Sequence, residues 1–181
     1  MQDLSATPKY LGSSFGFKLK RTLWLIIDST LIKYSPKYAY KFRNFWLILF
    51  GAKVGFKAGI KPSTRVLMPW NLILGNWVSF GSSVQIMNYA TVKIEDHVVI
   101  SQGVFLCGGS HDYLSPSLPL ISGEIIVKSR SWICADVFVG PNVTISSDCV
   151  IAARSVVVKS VPPNCIVGGN PAKFIKKRYD T

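Results

Sequence analysis

The sequence predicts an all-β chain: a parallel β-helix of six-residue repeats, preceded by a helical cap and followed by a short basic tail or helix. Three observations carry the prediction. An aliphatic residue returns every six positions between Val54 and Val157, a small or β-branched residue accompanies it four places later, and the beat fails once, at CGGSHDYLSPSLPL (107–120), around His111.

The repeat is read by taking the inward aliphatic as the first place of each hexad. The series runs Val54, Ile60, Val66, then Leu74, Phe80, Ile86, then Ile94, Ile100, Leu106, then Val127, Ile133, Val139, then Ile145, Ile151, Val157. Fourteen of these fifteen are Val, Ile or Leu, and at the fifth place only Trp70 is bulky. A period of six is neither the 3.6 of a helix nor the 2 of a simple strand. It suits short strands joined by sharp corners, three to a coil, so that coils stack and enclose their aliphatics in a narrow prism.

The phase slips locate an irregular corner. The steps from Val66 to Leu74 and from Ile86 to Ile94 are eight residues, so the early coils are two residues longer than the later ones. The large break after Leu106 leaves from the same corner. It carries His111 to the base of a projecting arm, 112–125, within a β-helix expected over 51–165.

Residues 1–50 lie outside the hexads. FKLKRTLWLIIDSTLIKYSP and KYAYKFRNFWLILFGAKVG read as two amphipathic helices, separated at Ser35-Pro36 and closed by Gly51, covering the open end of the stack. Beyond the last hexad, VPPNCIVGGNPAKFIKKR ends the coil with its prolines and glycines, and 166–181 is expected as a basic tail or short helix.

Composition narrows the function. The chain has 181 residues and a net charge of +12, with 49% hydrophobic and 17% charged residues, so it can enclose a core. Residues 1–65 hold twelve Lys and Arg against two acids, while 66–181 hold nine against seven. Such a basic field suits an anionic membrane surface, phosphorylated ligands or nucleic acid. No nucleic-acid motif accompanies it, and nucleic acid is not expected as a partner. The apolar runs are far short of the roughly 20 residues that cross a bilayer, and no signal peptide is visible. A cytoplasmic location is expected, with peripheral contact at the inner membrane face through the basic, aromatic-rich cap. Four cysteines without a C-x-x-C pair and only two histidines give no zinc spacing, so no metal is expected.

With the hexads, the histidine arm and these stretches in hand, the chain resembles the hexapeptide-repeat O-acetyltransferases. It is most similar to the acetyltransferases of colanic acid and other exopolysaccharide clusters, through GSHDYLSPSLPLI, WICADVFVGPNVTI and GNPAKFIKKR. It is also related to the galactoside, maltose and nodulation-factor enzymes. The resemblance implies a left-handed coil, a homotrimer with active sites between subunits, and acetyl-CoA as the acyl donor. The acceptor it implies is a saccharide, and the basic N-terminal third favours a lipid-linked one.

Transfer to a sugar hydroxyl needs a base, and histidine, ordinarily titrating near 6.5, is the usual one. His111 matches the family's arm histidine. Asn88 matches an asparagine beside the acceptor, a corner asparagine in a left-handed backbone conformation being the plainer alternative. Ala135 and Ala153, 18 residues apart in one column, match positions contacting coenzyme A, where small side chains leave backbone groups open to its pantetheine arm. Trp132 matches a tryptophan lining that channel, with a wall or interface aromatic as the alternative. Lys173 and Lys176 match basic positions near the nucleotide phosphates. Where the family carries a hydroxyl residue in the donor channel, this chain has Val158. His97 reads as a surface turn residue. N-acylation of an amino sugar, or a non-catalytic scaffold, remain the alternative functions.

Overall fold

The computed structural model describes residues 14–179, and the parts of the expected cap and tail at 1–13 and 180–181 lie outside them. Eighteen short strands, numbered in chain order, form the body. Face A stacks β1 (Lys53–Val54), β3 (Leu72–Leu74), β6 (Val92–Ile94), β11 (Ile125–Val127) and β14 (Val143–Ile145). Face B stacks β4 (Ser79–Phe80), β7 (Val99–Ile100), β12 (Trp132–Ile133), β15 (Val150–Ile151) and β17 (Cys165–Gly168). Face C stacks β2 (Arg65–Val66), β5 (Gln85–Met87), β8 (Phe105–Cys107), β13 (Phe138–Val139) and β16 (Val156–Val157). All pairings among these strands are parallel, which produces a β-helix of triangular section.

The register follows the phase slips in the sequence. Lys53 pairs with Ile73 and Ile73 with Lys93, twenty residues per coil, whereas Ile126 pairs with Thr144, eighteen residues on. Both the extra residues and the arm leave at the corner between faces C and A. There the hexad reading needs correction. Trp70, Ala90 and Ser110 occupy the small inward place by count, yet Leu72, Val92 and Ile125 fill it, fully buried. The inserted residues push the nominal occupant out onto the corner, and the next aliphatic moves in.

The first-place aliphatics are buried from Ile60 to Val157, and only Val54, in the first coil, is partly exposed. Each fully buried side chain of this size contributes roughly 1.5 to 3 kcal/mol. At the fifth place, hydroxyls close their own hydrogen bonds: Ser131 donates to the Ser146 carbonyl (2.9 Å) and Ser155 to that of Ala152 (2.6 Å). The corner between faces A and B turns through a left-handed residue in every coil: Lys57, Trp77, His97, Arg130, Asp148 and Asn164. The side chains of the first three stack into a ladder. The Lys57 ammonium lies 4.1 Å from the Trp77 ring centre, and the His97 ring lies parallel to that of Trp77. His97 is thus part of the ladder at the turn.

Two helices cover the open end. α1 (Phe15–Ile27) starts at Ser14, whose hydroxyl accepts from the Phe17 N–H, and runs on into a π-helical turn at Asp28–Ile32. Trp24 is fully buried and donates its indole N–H to the Val66 carbonyl (2.6 Å), fastening the helix to face C. α2 (Tyr40–Leu49) follows the Ser35-Pro36 break and buries Arg43 and Leu47, one turn apart, against the first coil. Opposite faces of both helices leave Leu23, Ile26, Phe45, Ile48 and Leu49 exposed.

The C-terminal segment differs from the expected tail or short helix. β18 (Lys173–Lys177) is a strand that turns back and pairs antiparallel with β17. β17 is the last rung of face B, and its free N–H and C=O groups would otherwise stand unpaired. A lysine-rich edge strand satisfies them and resists further strand addition.

Candidate active site

The arm is a β-hairpin. β9 (Gly109–His111) pairs antiparallel with β10 (Leu120–Ser122), His111 opposite Leu120. The hairpin leaves the coil at Gly108-Gly109, where space requires glycine: a Cβ on Gly109 would lie 2.5 Å from the Tyr89 ring. Asp112 tightens the tip by accepting the Leu114 N–H on its side chain (3.0 Å). The Ser115 N–H reaches the Asp112 carbonyl, and the Leu118 N–H that of Ser115.

His111 is exposed, and Nδ1 lies 2.6 Å from the carbonyl oxygen of Leu118. A carbonyl only accepts, so in the neutral ring Nδ1 carries the proton and Nε2 keeps the lone pair, directed away from that contact. Leu118 itself sits at φ 45, a conformation uncommon for a leucine, stored where it turns a carbonyl onto the imidazole. Residue type alone carries no signal for this role of Leu118.

Asn88 is engaged within the chain. It is fully buried, its Oδ1 accepts the Met68 N–H (2.9 Å), and its Nδ2 donates to the Met68 carbonyl (2.6 Å). Asn71 in turn donates to the carbonyls of Asn88 and Tyr89 (both 3.1 Å). Within the single chain this side chain is a clamp between coils below the arm, with both polar atoms engaged by Met68. The two-residue insertion after Val66 breaks the backbone ladder at Met68, and the asparagine amide replaces it.

The residues expected on the donor side gather around face B and the corner where it meets face C. Trp132 is half exposed on β12, and its indole N–H donates to the hydroxyl of Ser101 (2.9 Å), which fixes the ring against the outside of the face. Ala135 and Ala153 occupy the next corner in successive coils; the Arg154 N–H donates to the Ala135 carbonyl (2.9 Å). One lone pair of that carbonyl is therefore already engaged. Burial pushes the neighbouring Cys134 thiol up, keeping it protonated and unreactive. Lys173 and Lys176 extend from β18 at the far edge of the same face, both exposed.

The structure does not bring these two groups together within one chain. His111 leaves from the corner between C and A, and the alanine column stands at the corner between B and C. Among the described residues no group of three or more His, Cys, Asp or Glu could hold a metal ion.

A stack of parallel three-sided coils with a histidine hairpin at one corner is the architecture of a hexapeptide-repeat transferase. No family model matches the chain. The chain is 40% identical, over its full length and that of the relative, to WcaF of Escherichia coli (strain K12), named for acetyl transfer in colanic acid biosynthesis. Galactoside O-acetyltransferase of the same organism is 30% identical over 132 residues, 71% of this chain and 65% of the relative. A hexapeptide-repeat acetyltransferase of Vibrio cholerae, solved with acetyl coenzyme A, superposes with a TM-score of 0.86 at 26% identity, covering 94% of this chain and 93% of the other. The chain belongs to the hexapeptide-repeat acetyltransferases, in the family of the colanic acid biosynthesis enzyme.

Proposed function

We propose that the protein transfers an acetyl group from acetyl-CoA to a hydroxyl of a saccharide in surface-polysaccharide synthesis, with Nε2 of His111 as general base. The observation that carries the reading is the 2.6 Å contact between Nδ1 and the Leu118 carbonyl, which leaves Nε2 free to accept a proton. In the proposed step Nε2 takes the acceptor hydroxyl proton as the oxygen attacks the thioester carbonyl. The new C–O bond forms, the C–S bond breaks, and the proton passes to the departing thiolate.

The alanine column at 135 and 153 offers a narrow groove for pantetheine, Trp132 a wall, and Lys173 and Lys176 charge for the nucleotide phosphates. Because histidine and column stand at different corners, the proposed site is completed between copies of the chain, in keeping with a homotrimer. The N-terminal cap supports a peripheral membrane position. Its exposed Leu23, Ile26, Phe45 and Leu49 accompany a strongly basic segment, the pairing that suits an anionic lipid surface. A lipid-linked acceptor would be met there.

The test is His111→Ala with acetyl-CoA and an oligosaccharide acceptor, following thiol release. Removal of a general base lowers kcat by about 10² to 10⁴, and an undiminished kcat would refute the assignment. Co-assembly of His111→Ala chains with Ala153→Trp chains, each inactive alone, restores part of the rate if the site spans two subunits; absence of any recovery counts against that arrangement.

A further inference from the structure

A cavity of about 400 Å³ lies between the start of α2 and the first two coils, on the side of faces A and B and apart from the His111 arm. Its charge is one-sided. Lys37, Lys57 and Lys61 line it together with Arg43, and no acidic residue does. Arg43 is fully buried, and its guanidinium donates only to neutral oxygens: the carbonyls of Ile60, Pro36 and Lys37 and the hydroxyl of Ser35. These bonds fix the 35–37 loop that forms one wall, yet they leave a buried positive charge without a counterion. Such a charge in a low-dielectric wall favours an anion in the adjoining space.

The remaining walls are flat and aromatic. Tyr38 is 85% exposed and Tyr40 is partly so, while the face of the Trp77 ring is met in the corner ladder by Lys57 and by the parallel His97 ring. The volume exceeds what a phosphate or sulfate ion fills and lies within the range of organic-ligand sites. Planar rings beside hydroxyls, here the Tyr side chains and Ser79, match the alternating C–H faces and hydroxyl edges of a pyranose.

We infer that this cavity binds an acidic saccharide, a sugar ring carrying a carboxylate or a phosphate, at a site separate from the acetyl-transfer centre. The anion meets Lys37, Lys57 and Lys61 above the Arg43 floor, and the ring lies against Tyr38 and Tyr40. The inference is independent of the role proposed for His111.

Calorimetric titration of the full chain tests it with four probes: trigalacturonate, glucose 1-phosphate, maltotriose and inorganic phosphate. At least one acidic saccharide is expected to bind ten-fold or more tightly than both maltotriose and phosphate, and which one it is identifies the anionic group. The triple variant Lys37→Gln, Lys57→Gln, Lys61→Gln, which leaves the buried Arg43 in place, is expected to weaken that binding at least ten-fold. Tyr38→Ala serves as a second variant with no buried atoms at risk, and is expected to weaken it as well. Equal affinity for maltotriose, equal affinity for phosphate (an adventitious ion only), no binding of either acidic saccharide, or affinities untouched by the variants would each overturn the inference. Loss of binding in His111→Ala would also overturn it, since the ligand would then occupy the transfer site.

Discussion

Asp28 provides a quantitative prediction. It sits in the π-helical turn that joins α1 to the coil stack, buried against face C. Burial raises its carboxyl from 3.8 to about 6, and the Arg65 guanidinium only partly offsets the rise. Geometry explains why burial wins: Arg65 Nε is 3.8 Å from Oδ2, too long for a hydrogen bond, and Oδ1 has no partner. Because the folded carboxyl is raised, its stabilising contribution is complete below pH 3.8 and is lost as pH rises through about 6. At pH 7.5 the native state therefore carries a cost of about 3 kcal/mol, at about 1.4 kcal/mol per pH unit over that interval.

Asp28→Asn removes the titration while keeping the shape. Arg65 retains its bonds to the Pro62 and Thr64 carbonyls, so the substitution does not leave that cation unsupported. Relative to the parent, the variant gains only about 0.5 kcal/mol near pH 4 and up to about 3 kcal/mol at pH 7.5, roughly 6 to 12 °C in Tm at the higher pH for a chain of this length. Thermal melts of both proteins between pH 4 and 8 measure the gap. A gap that is flat with pH, or that narrows as pH rises, would refute the assignment of the cost to burial of this carboxylate.

Two further outcomes follow from the geometry of the arm and the cap. Asn88→Ala, which leaves the Met68 N–H buried and unpaired while the Met68 carbonyl keeps the Asn71 N–H, lowers stability by about 1 to 3 kcal/mol, seen as an earlier melt. The KM for acceptor should be preserved at temperatures where the variant stays folded, and a raised KM with unchanged stability would assign Asn88 to substrate binding. In flotation with anionic liposomes the chain rises with the lipid at low salt and less so at 0.5 M, whereas neutral liposomes leave it behind. Failure to float with anionic lipid removes the membrane contact.

The coil stack was legible because one physical requirement repeats. Each hexad must place an aliphatic inside, so Ile94, Ile100 and Leu106 reveal the period, and the steps of eight after Val66 and Ile86 reveal the corner where the coil lengthens. The histidine arm was visible for the converse reason: a break in a repeat this regular stands out. Partners at short range were less legible where insertion changes the count. Trp70, Ala90 and Ser110 fit the pattern by number, but the longer corner turns them outward and draws in Leu72, Val92 and Ile125. The Lys173–Lys177 segment carries no strong period of its own, and the unpaired edge of β17 makes it a strand.

The sequence by itself determined the repeat, the position of the arm and the identity of its one histidine, because these depend on side chains taken in order along the chain. Tertiary structure alone decided how that histidine is held and what surrounds it. The Leu118 carbonyl reaches Nδ1 through a backbone turn that no residue type announces. Asn88 lost its polar atoms to Met68, twenty residues away. Arg43 likewise found neutral partners as far away as Ile60. Hydrogen bonds between distant segments exist only after the coils have stacked, and it is those bonds that select which polar groups remain free for chemistry.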